Sequence, residues 1–279
     1  MASIVISGSR LLVNDREVQR NGPFQRTYLA EGDSWMDMSA WDQGSLPEYL
    51  ARSFNKDGKN NLIVKIATSG HTLTRIVDMM NDDLVWWLRQ FKYEGILFSA
   101  GGNDFIDAAA DPKPGQGILA DCRSIAPPPD AGSCIRPEAL AALVDYLNTN
   151  FSAILKAVRD STLNGATTIY LNCYDTATAR DAPAIRGLSG PWLHTAYTKN
   201  GIPTHLWADL TALLFATIKK TIAGWATLGP GVQLVATTGL LIPADPASTG
   251  DSGDWINEIH PSPSGWRKQA AAWRAALPV

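Results

Sequence analysis

Short apolar runs alternate along this chain with stretches in which apolar residues recur every three or four positions, the pattern of strands alternating with amphipathic helices. Thr27–Glu31, Leu62–Ala67, Gly95–Ser99, Thr168–Asn172 and Val232–Ala236 read as strands, the second rich in β-branched residues. Leu46, Leu50 and Phe54 mark one helix, opened by Ser45-Leu46-Pro47-Glu48, which has the spacing of a capping box. Leu73, Ile76, Val77, Met80, Leu84, Trp87, Leu88 and Phe91 mark one face of a single long helix. Further faces run from Leu140 to Val158 and from Leu206 to Ile218. A last helix carries Pro263 near its start, after Ser262, and packs Trp266, Ala270, Trp273 and Leu277 on one side. Such alternation predicts an α/β fold with a central parallel five-stranded sheet covered on both faces.

The same pattern sets the domain organisation. Residues 1–24 hold two apolar patches, Ile4–Ile6 and Leu11–Val13, then the turn-like Asn14-Asp15, and suit a small hairpin or an edge decoration. Residues 25–279 read as one domain with irregular cap insertions near 105–136 and 175–203, the first rich in Pro, Gly and Asp. Loops of that length are usually lids, binding loops or mobile insertions.

Composition narrows the function classes. With 45% hydrophobic and 18% charged residues the chain is globular, and a net charge of −3 with no basic stripe gives no reason to expect a nucleic-acid partner. No apolar run reaches the ~18 residues of a transmembrane helix. The start has no charged region followed by a long apolar one, so the expected location is cytoplasmic unless a leader has been removed. Cys122 and Cys134 share one loop and could bridge, whereas Cys173 follows an apolar run and reads as a buried thiol. His194 and His205 lack a Cys, Asp or Glu partner at ligand spacing, and no glycine-rich phosphate loop follows any strand. No metal or cofactor is therefore expected.

Candidate chemistry gathers at the carboxyl ends of the strands, where open α/β sheets place their ligands. Tyr28-Leu29-Ala30-Glu31 runs into Gly32-Asp33-Ser34-Trp35; Gly70-His71 follows the second strand and Gly101-Gly102-Asn103-Asp104 the third; His260 precedes the last helix. A hydroxyl, an imidazole, backbone N–H groups at glycine turns and a side-chain amide are the set that acyl transfer needs. Asp33 reads as a cap for nearby N–H groups. His71 reads equally as a substrate contact or a solvated loop residue.

Four blocks in order, Gly32-Asp33-Ser34, Gly70, Gly102-Asn103-Asp104 and His260-Pro261, resemble the SGNH hydrolase superfamily, the GDSL-type lipases and esterases. The resemblance implies a flavodoxin-like three-layer α/β/α sandwich and a serine hydrolase acting on a small-molecule carboxylic ester through an acyl-enzyme. It implies Ser34 as nucleophile, His260 as base, and an oxyanion hole from the Ser34 and Gly70 N–H groups with the Asn103 amide. Substrates within the superfamily include small esters, lysophospholipids, thioesters and acetylated sugars. The chain departs from the family pattern at one point, since the position three residues before the histidine, usually aspartate, is Asn257. Asn257 and Asp254 are equal candidates to orient His260, Glu258 a weaker one, and a Ser–His dyad is a third arrangement. A non-catalytic binding module with a decayed triad is the rival from another class. Trp35, Phe105, Trp192 and Tyr197 are candidate substrate walls, with core packing the competing role.

Overall fold

The computed structural model describes residues 1–13, 15–37, 44–79, 83–111, 113–124, 128 and 130–278. In chain order the elements are β1 (Ile4–Ser7), α1 (Gly8–Leu12), α2 (Arg16–Asn21), β2 (Arg26–Gly32), α3 (Leu46–Lys56), β3 (Asn61–Lys65), α4 (Leu73–Met79) and α5 (Leu84–Gln90). Then follow β4 (Gly95–Ser99), α6 (Gly102–Ala109), α7 (Pro137–Arg159), β5 (Thr168–Leu171), α8 (Leu193–Lys199), α9 (Trp207–Trp225), β6 (Val232–Leu234) and α10 (Pro263–Ala276). The described strands form one sheet in the order β1-β3-β2-β4-β5-β6, every pairing parallel.

The sheet thus has six strands where five were expected. The sixth is β1, from the first apolar patch, which pairs Ile4–Ser7 with Leu62–Lys65 at the sheet edge. Ser3 guides it there: its hydroxyl donates to the Lys59 carbonyl at 2.8 Å and accepts the Asn61 N–H at 2.9 Å. A four-residue strand whose partner lies far along the chain leaves no local periodicity to read. Between Leu73 and Phe91 two helices, α4 and α5, stand where one was expected; Met80 lies outside the described residues, as does Asn14 of the expected turn. The capping box at Ser45 forms, with the Ser45 N–H donating to Glu48 Oε2 at 2.8 Å.

Without β1 the strand order becomes that of flavodoxin-like sheets, with a topological switch point between β2 and β4. The crevice outside the carboxyl ends of those two strands is where such a sheet binds ligands. Gly32 fixes its geometry. Its φ is +136°, and a Cβ there would lie 1.9 Å from the Ser99 carbonyl oxygen. That close approach lets the Asp33 N–H donate to Ser99 O at 2.9 Å, extending the β2–β4 ladder by one rung just before Ser34.

Candidate active site

Ser34 leaves the sheet one residue past that rung and is nearly buried. Asp33 secures the turn from beneath. Its Oδ1 accepts the Trp35 N–H and the Ser99 hydroxyl, each at 3.0 Å, and its Oδ2 accepts the Tyr174 hydroxyl. Burial pushes the Asp33 carboxyl up to about 6, against the pull of these donors. The cap expected of Asp33 is therefore present; Ser99 and Tyr174, its side-chain partners, carry no motif that marks them in sequence.

His260 reaches the serine from the loop before α10. Its Nε2 lies 2.8 Å from Ser34 Oγ and its Nδ1 3.1 Å from Asn257 Oδ1. Asn257 Oδ1 also accepts the backbone N–H groups of Ile259 at 3.1 Å and His260 at 2.9 Å. Those two donors fix which end of the amide faces the ring, and an oxygen there requires the proton on Nδ1. Nε2 is then a free acceptor for the serine hydroxyl proton. Burial alone pulls His260 down to about 4, so the ring is neutral at neutral pH.

Asp254 does not touch the imidazole. Its carboxylate is taken by the Ile242 N–H at 2.8 Å, the Ser264 hydroxyl at 2.6 Å and the Lys268 ammonium. These partners hold Asp254 below the ordinary carboxylate range and make it a staple between its loop and α10. Glu258 also turns away from His260. It accepts the backbone N–H groups of Arg180, Trp192, Leu193 and His194, and burial pushes it up to about 7. The buried Arg180 guanidinium donates to the Asn257 carbonyl at 2.8 Å. Sequence spacing gave no sign of the Asp254 and Glu258 contacts, because their partners lie on other elements and loops that no local pattern brings to these carboxylates.

The remaining predicted residues divide. Gly70 sits in an exposed turn at φ +81° with open space where a side chain would stand. That turn is tied to the serine loop by the Thr68 N–H on Gly32 O at 3.0 Å and by the Ser69 hydroxyl on Asp37 O. Asn103 is in the first turn of α6, after Gly101 at φ +98°, and its Nδ2 donates to His71 O at 3.0 Å. Trp192 packs edge-on against His260 with ring centroids 5.7 Å apart. Trp35 is buried against Tyr174, Trp255 and Trp266, and with Phe105 it also lines the pocket beside Ser34. Tyr197 is no substrate wall: it is fully buried, its hydroxyl 3.0 Å from that of Thr211 on α9.

That pocket opens about 580 Å³ of empty space, counting its mouth, between the serine turn, α6, α9 and the 255–259 loop. Leu214, Phe215 and Ile218 form its α9 wall. In sequence Leu214 and Ile218 were legible only as members of a helix face. Among the described residues no group of three or more His, Cys, Asp or Glu side chains could hold a metal ion, and no helix is long and apolar enough to cross a membrane.

No protein-family model and no curated protein sequence matches the chain. Solved structures do resemble it. A protein described as a GDSL-like lipase from Parabacteroides merdae superposes with a TM-score of 0.53 over 91% of this chain and 96% of its own, at 14% identity. A lipase from a goat rumen metagenome gives 0.54 over 90% and 97%, also at 14% identity. The chain shares the fold of these structures.

Proposed function

We propose that this chain is an SGNH-type serine hydrolase that cleaves small-molecule carboxylic esters through an acyl-enzyme. The observation that carries the reading is the 2.8 Å contact between His260 Nε2 and Ser34 Oγ at the sheet's switch point. The two structures compared above are lipases by description, which agrees with that chemistry.

Ser34 Oγ attacks the ester carbonyl carbon as its proton passes to His260 Nε2. The carbonyl π pair moves to oxygen, and the oxyanion is met by the Ser34 and Gly70 N–H groups and by Asn103 Nδ2, whose second N–H is not used by His71 O. On collapse, the imidazolium gives its proton to the departing alkoxide, leaving Ser34 acylated. Water then repeats the sequence and releases the acid. Asn257 holds the ring in register but brings no charge, so the imidazolium formed during attack is stabilised less than beside a carboxylate. The spacing of Asn257, Ser34 and His260 supports a working triad of unusual composition rather than a decayed one.

The test is hydrolysis of p-nitrophenyl butyrate by wild type, Ser34→Ala and His260→Ala. Either substitution is expected to lower kcat by about 10³ or more. Equal rates in all three proteins would end the proposal.

A further inference from the structure

The pocket beside Ser34 has a chemical character that the proposed reaction alone does not require. We infer that it is an acyl-chain site and that the preferred substrates are esters of medium-length aliphatic acids, not acetylated sugars. This rests on the serine-hydrolase reading and names its substrate class.

Ser34 and Asn103 line the pocket, and His260 does not. The leaving alkoxide must stand at His260 Nε2 to receive its proton. The alcohol half of the ester therefore lies on the imidazole side, and the acyl half runs from Ser34 past Asn103 into the pocket.

The pocket's apolar lining is built from Phe105, Leu193, Leu214, Phe215, Ile218 and Ile259. Two carboxylates also border it, and neither is free. Asp33 is committed to Trp35, Ser99 and Tyr174, and Asp175 to the N–H groups of Thr176, Gly239 and Leu241. Trp255, whose indole N–H is buried without a partner among the described residues, adds a further aromatic face. An acetyl group, with one methyl to bury, would leave most of this apolar wall uncontacted, whereas each further methylene buried there is favourable. Leu214 and Ile218, one turn apart on α9 and both nearly fully buried, form part of the apolar wall, so bulk added or removed there changes the room left for the chain.

The experiment measures kcat/KM for p-nitrophenyl acetate, butyrate, hexanoate and octanoate with the full chain, Ser34→Ala, Ile218→Trp and Ile218→Ala. Wild type is expected to improve from acetate to hexanoate by up to about fourfold for each methylene. Ile218→Trp should lower the hexanoate-to-acetate ratio about tenfold or more, and Ile218→Ala should move the optimum to a longer chain. Should the tryptophan variant fail to fold, the alanine variant decides. A Ser34-dependent wild type that prefers acetate, or a length profile that Ile218→Ala leaves unchanged, overturns the acyl-site assignment alone. Acetate hydrolysis that survives Ser34→Ala overturns the underlying hydrolase reading instead.

Discussion

Asn257 Oδ1 lies 3.1 Å from His260 Nδ1, so an uncharged amide occupies the place behind the base where a carboxylate would stabilise the imidazolium. Restoring a charge tests what that costs. Asn257→Asp places an anion against the ring, favours the protonated form and raises His260 from its value of about 4. The acid limb of the kcat/KM–pH profile should move to higher pH, and kcat near pH 8 should rise. Asn257→Ala, which frees the ring, should lower kcat about tenfold or more. An unchanged profile in both variants would remove Asn257 from the machinery and leave a dyad.

Asp254 gives the opposite expectation. Its carboxylate joins Lys268, Ser264 and the Ile242 N–H, all away from the imidazole. Asp254→Asn should lower Tm by several degrees, the scale of losing a buried charge-assisted bond in a chain of this size, and leave kcat/KM within about threefold. A large fall in kcat without a fall in Tm would put Asp254 back beside His260.

Stability should depend on pH in a direction opposite to simple acid lability. Burial pushes Glu31 up to about 8 and Glu258 to about 7, both above the ordinary carboxylate value they have unfolded. The folded state then binds more protons between those values, so their contribution is full in acid and is lost as pH rises towards 8. His260, pulled down from 6.5 to about 4, has the other sign, but its contribution is already complete above pH 6.5. Tm is expected to fall between pH 6.5 and 8.5, and Glu31→Gln, which keeps an acceptor for the Gly32 N–H, should flatten the fall. A Tm that climbs through that window would contradict the burial of these carboxylates.

Glu258 also shapes the site. Four backbone N–H groups converge on its carboxylate and hold Trp192 against His260. A glutamine offers one acceptor oxygen and turns an NH₂ towards N–H donors. Glu258→Gln should therefore lower both Tm and kcat/KM, while Trp192→Phe, which keeps a ring in place, should keep most of the activity. Full activity in Glu258→Gln, measured with Tm, would show that the Glu258 carboxylate and its four N–H donors do not position the base.

What the sequence revealed follows a physical boundary. Interior strands and the glycine turns at Gly32 and Gly102 were legible from local pattern, apolar runs ending in glycine, whereas Ser34, Asn103 and His260 stood out only together, as blocks in the order of the family they resemble. Asn257 came into view through the family resemblance, as the position three residues before His260, and its Oδ1 accepts the His260 N–H. Asp254 and Asn257 stayed equal candidates because the deciding partner, Lys268, lies on a helix whose face no local rule aims at a loop. Tyr197 looked like a cleft aromatic because its segment seemed irregular, yet α8 turns it inward onto Thr211. β1 and the Asp33–Ser99–Tyr174 cluster depend on pairings distant in sequence, which composition and period do not record.

The central claim is that Ser34 is a nucleophile activated by His260. The most direct measurement is labelling of the native protein with a fluorophosphonate, followed by peptide mass spectrometry. The account predicts one phosphonyl adduct, on the peptide containing Ser34, lost in Ser34→Ala and formed at least about tenfold more slowly in His260→Ala. An adduct on another residue, or none under conditions that label an active serine hydrolase, would contradict it.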